Sequence, residues 1–395
     1  MKNERYLEKG LYFVHGYYIN GNKEEDINVL NRDQMILMKD SIDDIYNIEA
    51  YDVNLREMHI QNQIPQGEFV YYNGQSLQTA EDDPNSIIYT ELNRQLANII
   101  GYENYGNQPE EISEQISDVH SYHVNVGHGN CSIIVFCCDG QYNMWMVDCS
   151  VFDFTDKHDF RSNLKKCMDD ISEKFGVGKI SKLLITHLHY DHINGIENLI
   201  KNGWIDKDTE VWMNTQYPWK QPTYTRILLQ LKALGVKFID PIVSNSTQQI
   251  NILYPNISFN KKNVAPKNNI NNASVLYQIC LGKKSMLFTG DIETEGWEHV
   301  RLCISHLNHS TYYCISHHGS ITGHLRSDCV IPYMVIGTLA DCAGLTKIQV
   351  LMGRDNAYKG IFSKKVISDF NNILKTEDAV HYIGIEWCNG RNVLK

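Results

Sequence analysis

The sequence predicts an α/β protein, with sheets covered by helices and a compositionally distinct region in front of them. Two observations carry this. From about His120 onward, short β-like runs alternate with stretches of helical periodicity, the pattern of a layered sheet-and-helix domain. Before that point the chain is acidic. Residues 1–118 hold 8 Lys and Arg against 22 Asp and Glu, and the remainder holds 28 against 25, so the net charge of −11 belongs to the first third. A chain of 395 residues has room for two domains at about 150 residues each, and the expected division is 1–118 and 119–395.

The first region alternates aromatic stretches (LYFVHGYYING, EFVYYNG) with acidic, Asn-rich ones (NKEEDIN, AEDDPNS). Its one clear periodicity, NSIIYTELNRQLANIIGY, has apolar residues at helical intervals and predicts a helix from about Asn85 or Ser86. ENYGNQPEEISEQ, polar with Gly and Pro, reads as a linker. No chemical constellation is visible in this region.

The second region can be read element by element. SYHVNV and CSIIVFCC flank GHGN as strand, turn and strand, and YNMWMVDCS is a third strand that ends near Asp148. The helix RSNLKKCMDDISEKFG follows, then the strand KLLIT and, further on, the strand EVWMN. ASVLYQICLG and SMLFTGD pair across a two-lysine turn. The helix EGWEHVRLCISHL, the strand YYCIS and the tetrapeptide HHGS come next.

Composition narrows the setting. The first residues carry scattered charges rather than an apolar signal core, and the longest apolar runs fall short of the ~18 residues of a membrane span. A soluble, cytoplasmic protein with no membrane partner is expected. Eleven cysteines, all after residue 130 and without a CxxC pair, read as reduced and mostly buried thiols.

The stretch LLITHLHYDHINGI puts three histidines and an aspartate into six residues behind an apolar strand. His187 begins the loop at the strand's C-terminal edge, where α/β proteins place ligands. In extended backbone His187 and His189 point the same way and can share a divalent ion. Asp191 and His192 can serve a second ion or the first ion's water. The N/O donor set suits Zn²⁺, and Gly195 supplies a turn into the following helix. Further ligands should come from other strand ends. Asp291 ends MLFTGD behind a glycine, and His317 and His318 end YYCISHH.

HxHxDH, then GD, then HHGS, preceded by VNVGHGNCSII and MVDCS, resembles the metallo-β-lactamase superfamily. Within it the chain is similar to the hydrolase domain of the DNA-internalisation competence proteins, whose opening strand-turn-strand carries VGxG. The resemblance runs over about residues 120–372 and includes VLMGRDNAYKGIFSKKVISDF. It implies a four-layer αββα fold, one or two Zn²⁺ ions (with Mn²⁺ or Fe left open) and hydrolytic chemistry. The family's ligand positions fall on His187, His189, Asp191, His192, Asp291 and one of His317 and His318. We take His317 as the ligand and His318 as the acid–base residue, with Asp191 orienting the attacking water. The chain departs from the pattern twice. No histidine occurs between His192 and His299, with Asn214 as a candidate substitute, and AYKG stands where relatives carry YGHP, with Lys359 in the histidine's place. His128 and Asn130 fall in the turn that relatives place beside the metals, and Asp148 is expected to support a ligand histidine.

The function implied is metal-dependent hydrolysis of phosphodiesters, in nucleic acid or a nucleotide. The motif set and the lysine-bearing segment Lys261 to Lys267 point that way. A carbonyl substrate (lactone, thioester or β-lactam) is the alternative within enzymes. A second alternative makes the acidic N-terminal region a protein-binding module that regulates the hydrolase.

Overall fold

In the run CSIIVFCC successive side chains meet opposite faces of a strand. In the computed structural model both sets are buried, Ile134 and Phe136 on one side and Ile133 and Val135 on the other. A strand buried on both faces belongs inside a layered domain. The structure describes residues 7–19, 25–31, 51–54, 69–79, 108–113, 115–153, 155–214, 222–242, 246–264, 270–303, 312–324, 348–355, 357, 360–368, 380–383 and 391–392. The chain divides into two compact units. One comprises residues 1–101, 217–233 and 265–268, and the other residues 102–216, 234–264 and 269–395.

The first unit contains a five-stranded antiparallel sheet of β1 (Gly10–Ile19), β2 (Glu25–Asn31), β3 (Tyr51–Asn54), β4 (Phe69–Tyr72) and β5 (Leu77–Thr79), in the order β3-β2-β1-β4-β5. Alternate residues (Tyr12 and Val14, Ile27 and Val29) join Val53, Val70 and Leu77 in its core, as period-two patterning requires. A helix at Pro222–Leu234 carries buried Tyr224, Ile227, Leu228 and Leu231, an i, i+3, i+4, i+7 stripe. The helix expected from Asn85 lies outside the described residues.

The second unit is built on two sheets. The seven-stranded one runs β13-β12-β11-β8-β7-β6-β20. Its strands are β6 (Ile116–His123), β7 (Cys131–Cys138), β8 (Gln141–Cys149), β11 (Lys182–Leu184), β12 (Glu210–Trp212), β13 (Lys237–Ile239) and β20 (Arg391–Asn392). A two-stranded ribbon, β9 (Phe152–Asp153) and β10 (His158–Asp159), follows β8. The six-stranded sheet has the order β14-β15-β16-β17-β18-β19. It comprises β14 (Ile250–Tyr254), β15 (Leu276–Leu281), β16 (Lys284–Phe288), β17 (Tyr312–Cys314), β18 (Ile348–Met352) and β19 (Val380–Ile383). In each sheet an antiparallel meander changes into a parallel half, at β8 against β11 and at β16 against β17.

One core cluster joins the sheets face to face. Ile134, Phe136, Trp145, Val147, Leu184 and Trp212 come from the first, and Ile250, Tyr277, Ile279, Met286, Phe288 and Met352 from the second. The outer faces are also covered. α1 (Arg161–Phe175) buries Leu164, Cys167, Met168 and Ile171, and Cys167 lies within the field of Cys131 and of Tyr122. On the other side Trp297 and Val300 of α5 (Thr294–Cys303) pack with Leu287, Tyr313 and Leu351. The result is the metallo-β-lactamase type of layering that the sequence implies. Three short helices complete the set introduced here: α2 (Tyr190–Ile193), α3 (Ile196–Lys201) and α4 (Ile257–Asn263).

Two local findings refine the sequence reading. The expected lysine-bearing loop is in part a helix. Asn256 caps α4 by accepting from the Phe259 amide at 2.9 Å, Lys262 is ion-paired with Glu295, and Lys267 lies outside the described residues. The expected linker is held in place at Glu110. Its amide donates to Glu210 Oε1 at 2.7 Å and its carbonyl accepts from Lys182 Nζ at 2.9 Å. Lys182, Glu210 and Lys237 open the parallel strands β11, β12 and β13, and Glu210 is paired with both lysines. That buried ionic layer sits at the strands' N-terminal ends, leaving their C-terminal ends for chemistry. Among the described residues seven cysteines are free, five of them buried, as expected. No helix among the described residues is long and apolar enough to cross a membrane.

Candidate metal centre

The centre forms where the C-terminal ends of β8 and β11 face those of β16 and β17. Asp148, the penultimate residue of β8, has φ at 53°, and its buried carboxylate receives three hydrogen bonds. Oδ1 accepts from the Thr186 amide (2.7 Å), and Oδ2 from the Thr186 hydroxyl (2.7 Å) and His192 Nδ1 (2.8 Å). Past β11 the chain bends at Thr186 and reaches His189, which has extended backbone and stands before α2, and Asp191 and His192 lie in that helical turn. The rings of His187 and His189 are 4.6 Å apart and those of His187 and His192 4.0 Å. Gly195 is required for close approach rather than for an unusual turn. Its φ is −86°, and a Cβ there would lie 2.6 Å from Cys149 Sγ and 2.9 Å from Cys149 O.

From the second sheet, Gly290 at φ 53° turns the chain after β16 and brings in Asp291, whose amide donates to Ser274 Oγ at 3.0 Å. After β17 the turn Ser316–Gly319 holds two consecutive left-handed residues, His317 (φ 50°, ψ 49°) and His318 (φ 47°, ψ 33°). The His317 amide donates to Gly290 O at 3.1 Å, tying the two strand ends together.

Two donor groups result, Asp191, His192, Asp291 and His318, and beside it His187, His189 and Asp291. His318 Nε2 lies 3.1 Å from Asp191 Oδ2 and 3.5 Å from Asp291 Oδ2, His192 Nε2 3.3 Å from Asp291 Oδ1, and His187 Nε2 3.7 Å from Asp291 Oδ2. Donors about 2.0–2.1 Å from a tetrahedral ion stand roughly 3.4 Å apart, so these spacings suit a shared cation. The decisive observation is a set of buried atoms, the Nε2 of His187 and of His192 and Asp291 Oδ1, which make no hydrogen bond. Buried polar atoms of this kind call for a partner, and on this donor set a divalent ion fits.

One segment of the chain is similar to the metallo-beta-lactamase superfamily. Residues 124–244 match that superfamily's model, which names no branch within it. No curated protein matches the chain. Among solved structures it is similar to YhfI, a metallo-beta-lactamase fold protein from Bacillus subtilis, at 10% identity and TM-score 0.37, over 70% of this chain and 100% of that one. It is also similar to a diphosphatase of the PhnP family, at 12% and 0.32 over 70% and 98%. A third is CmlA, a diiron β-hydroxylase from Streptomyces venezuelae, at 12% and 0.35 over 73% and 55%.

At this centre burial and close opposite charges pull each titratable group in opposing directions. Burial opposes the ionised form of Asp291, but His318, His192, His187 and His317 hold its pKa well below the ordinary value. Burial likewise opposes ionisation of Asp191, and His192 and His318 outweigh it. The carboxylates hold protons in return. Against burial, Asp291, Asp148 and Asp191 keep His192 well above the usual histidine range, and Asp291 and Asp191 raise His318 to about 10. Burial first, and His192 second, depress His187, and burial brings His189 down to about 4.

The structure brings together most residues expected at the site and separates the two adjacent histidines. His318 joins the four-residue group, with Nδ1 3.2 Å from Met352 O. His317 Nδ1 faces Glu293 Oε1 at 3.2 Å. His128 reaches the centre, its Nε2 3.5 Å from Asp191 Oδ2. Burial and His318 lower its pKa to about 3, which leaves it neutral at pH 7. Asn130 contributes backbone, its amide donating to Asp191 O at 3.0 Å. Asp148 Oδ2 accepts from His192 Nδ1 at 2.8 Å. Asn214 Nδ2 donates to Asn260 Oδ1 of α4 at 2.7 Å. Lys359 lies outside the described residues.

Several residues escaped the sequence reading. Asp153 accepts from the His128 amide (3.0 Å) and from Arg354 Nε (2.8 Å), fixing the turn above the centre. Asn194 accepts from the amides of Val151 (2.7 Å) and Phe152 (3.1 Å), pinning α2 to the end of β8. Thr186 and Glu293 adjoin ligand positions, and that adjacency was the only signal for them.

Proposed function

We propose that the chain is a metal-dependent hydrolase of phosphodiester bonds, in nucleic acid or a nucleotide. The observation that carries this reading is the pair of donor groups sharing Asp291. Two adjoining cations suit in-line displacement at phosphorus, because they serve the attacking and leaving oxygens together. The VGHGN turn and the HHGS motif, similar to those of the competence-type hydrolases, favour a phosphodiester over a carbonyl substrate.

Asp191, His192, Asp291 and His318 are assigned to one ion, and His187, His189 and Asp291 to the other. When bound, such ions supply Lewis acidity and a water whose pKa falls to ~7. The protein's own side chains prepare that chemistry. Asp148 accepts a hydrogen bond from His192 Nδ1, and Met352 O one from His318 Nδ1, so each Nε2 faces the centre. Asp191 and Asp291 favour a proton on His318 Nε2, and that nitrogen would have to be free of it to hold a cation. This assignment makes His318 a ligand rather than the leaving-group acid. Asp191, with 24% of its side chain exposed, is the carboxylate that solvent reaches, and orientation of the attacking water is assigned to it. Neutral His128 offers the substrate a hydrogen bond and no proton.

The test is turnover of single-stranded DNA, RNA, cyclic nucleotides, an aryl phosphodiester and a lactone by protein loaded with Zn²⁺, Mn²⁺ or Fe²⁺. Phosphodiester cleavage that disappears in His192→Ala is expected. Cleavage of the lactone alone, or of nothing in every metal form, overturns the proposal.

A further inference from the structure

A buried salt bridge ties the turn beside the centre to the second sheet. Asp153 ends β9 with its side chain wholly buried, and its Oδ2 accepts from Arg354 Nε at 2.8 Å and from the His128 amide at 3.0 Å. Arg354 stands two residues beyond β18. We propose that Arg354 is a positioning residue of the centre: through Asp153 it holds the turn that sets the His128 ring against Asp191. The inference rests on reading the centre as that of a hydrolase.

The grip on Asp153 is specific. Its Oδ1 accepts from the Thr155 amide (2.9 Å), the Thr155 hydroxyl (2.5 Å) and the Asp156 amide (3.2 Å), which commits that oxygen to its own loop. Oδ2 reaches outward, to His128 and Arg354. Arg354 Nη2 also donates to Thr155 Oγ1 at 2.6 Å, and two contacts from one planar guanidinium fix its orientation. A buried carboxylate stripped of its cation is strongly unfavourable, so the arginine governs where Asp153 sits. The turn follows the carboxylate closely. Gly127 has φ at 67°, and a Cβ there would lie 2.6 Å from both Asp153 Cβ and Oδ2.

From the turn the effect reaches the centre in one step. His128 Nε2 lies 3.5 Å from Asp191 Oδ2, the oxygen that His318 Nε2 approaches to 3.1 Å, and the two rings stand 4.3 Å apart. His318 Nδ1 in turn lies 3.2 Å from Met352 O. One strand end, Met352 to Arg354, therefore sets both imidazoles that flank Asp191, the carboxylate to which orientation of the attacking water is assigned. Misplacing such a group by about 1 Å costs up to about 100-fold in rate.

The experiment measures kcat and KM on an aryl phosphodiester for metal-reloaded full-length wild type, Arg354→Ala, Arg354→Lys, His128→Ala and the double variants. Alongside it, the ring resonances of ¹⁵N-histidine-labelled, metal-free protein are recorded. Arg354→Ala should lower kcat about 10–100-fold with KM little changed, and Arg354→Lys, which keeps a cation on Asp153, should recover part of the loss. His128→Ala should lose as much, and Arg354→Ala should then cost nothing further, since residues that act through one another are not additive. The His128 resonance, identified by its absence in His128→Ala, should shift in both Arg354 variants while other histidine resonances hold their positions. If Arg354→Ala fails to fold, Arg354→Lys with and without His128→Ala supplies the same comparison. An Arg354 effect of equal size in both backgrounds, an unchanged kcat, or an unmoved His128 resonance overturns the inference and leaves the proposed hydrolase standing. A wild type that cleaves no phosphodiester in any metal form removes the hydrolase reading instead, and the resonance, which needs no turnover, still decides whether Arg354 holds His128.

Discussion

Asp148→Asn is the substitution whose effect the structure defines most closely. Its carboxylate accepts at both oxygens, Oδ1 from the Thr186 amide and Oδ2 from the Thr186 hydroxyl and His192 Nδ1, all at 2.7–2.8 Å. An amide has one acceptor oxygen. If that oxygen stays on the Thr186 amide, the NH₂ faces His192 Nδ1, whose proton must then move to Nε2. That nitrogen lies 3.3 Å from Asp291 Oδ1, and once protonated it cannot bind a cation. Loss of such a supporting hydrogen bond weakens metal binding about 10–100-fold, or roughly 1.4–2.7 kcal/mol. If the amide flips, its NH₂ instead opposes the buried Thr186 N–H, and an unsatisfied buried donor costs about 1–3 kcal/mol of stability. One of the two costs must therefore appear. Competition with a chromophoric chelator measures Zn²⁺ affinity, and thermal unfolding of the metal-free protein measures the other. Unchanged affinity together with an unchanged melting temperature would refute the reasoning.

Two further outcomes follow from packing and charge. Gly195→Ala would put a methyl group 2.6 Å from Cys149 Sγ and 2.9 Å from Cys149 O. Overpacking of this kind costs about 1–3 kcal/mol, seen as a lower melting temperature, and a variant that melts with wild type contradicts the steric account. Burial opposes ionisation of Glu210, but Lys182, Lys237 and the Glu110 amide hold its pKa below the ordinary value. A depressed carboxylate contributes stability above its unfolded pKa of about 4.3, which is lost as pH falls through the folded value. Glu210→Gln should thus flatten the acid limb of a melting-temperature profile between about pH 5 and 3, and lower stability at pH 7 by about 3–5 kcal/mol because Lys182 stays buried without its partner. Parallel profiles for the two proteins would exclude this role.

The architecture of the second unit was legible because several of its strands are apolar runs followed directly by polar clusters. KLLIT, SMLFTGD and YYCIS each deliver a polar cluster to one rim, and the register of β11 on β8 and of β17 on β16 brings those clusters together. What could not be read depends on three-dimensional register. Lys237–Ile239 is too short to show a period, and the sequence does not say that Asn260 faces Asn214. Glu293 and Thr322 are ordinary in sequence and matter only because His317 turns toward them.

The roles of His317 and His318 were hidden for a deeper reason. A strand ending in HH predicts one side chain in and one out, because period-two alternation governs extended backbone. Here both residues leave that region, at roughly 1–2 kcal/mol each for a non-glycine left-handed conformation. Such outliers persist where the surroundings over-determine them, and the surroundings here are specific. The His317 amide is bound to Gly290 O (3.1 Å), the Ser320 amide to His317 O (2.7 Å), Ser316 Oγ to Ile292 O (2.5 Å) and His318 Nδ1 to Met352 O (3.2 Å). These contacts reach from β17 to the ends of β16 and β18, so the whole rim of the second sheet holds the pair against its local preference. A plain surface turn has no need of that bracing. Here the bracing brings both imidazoles within 3.9 Å of one carboxylate oxygen, Asp291 Oδ2, an arrangement that the composition of HHGS alone does not dictate.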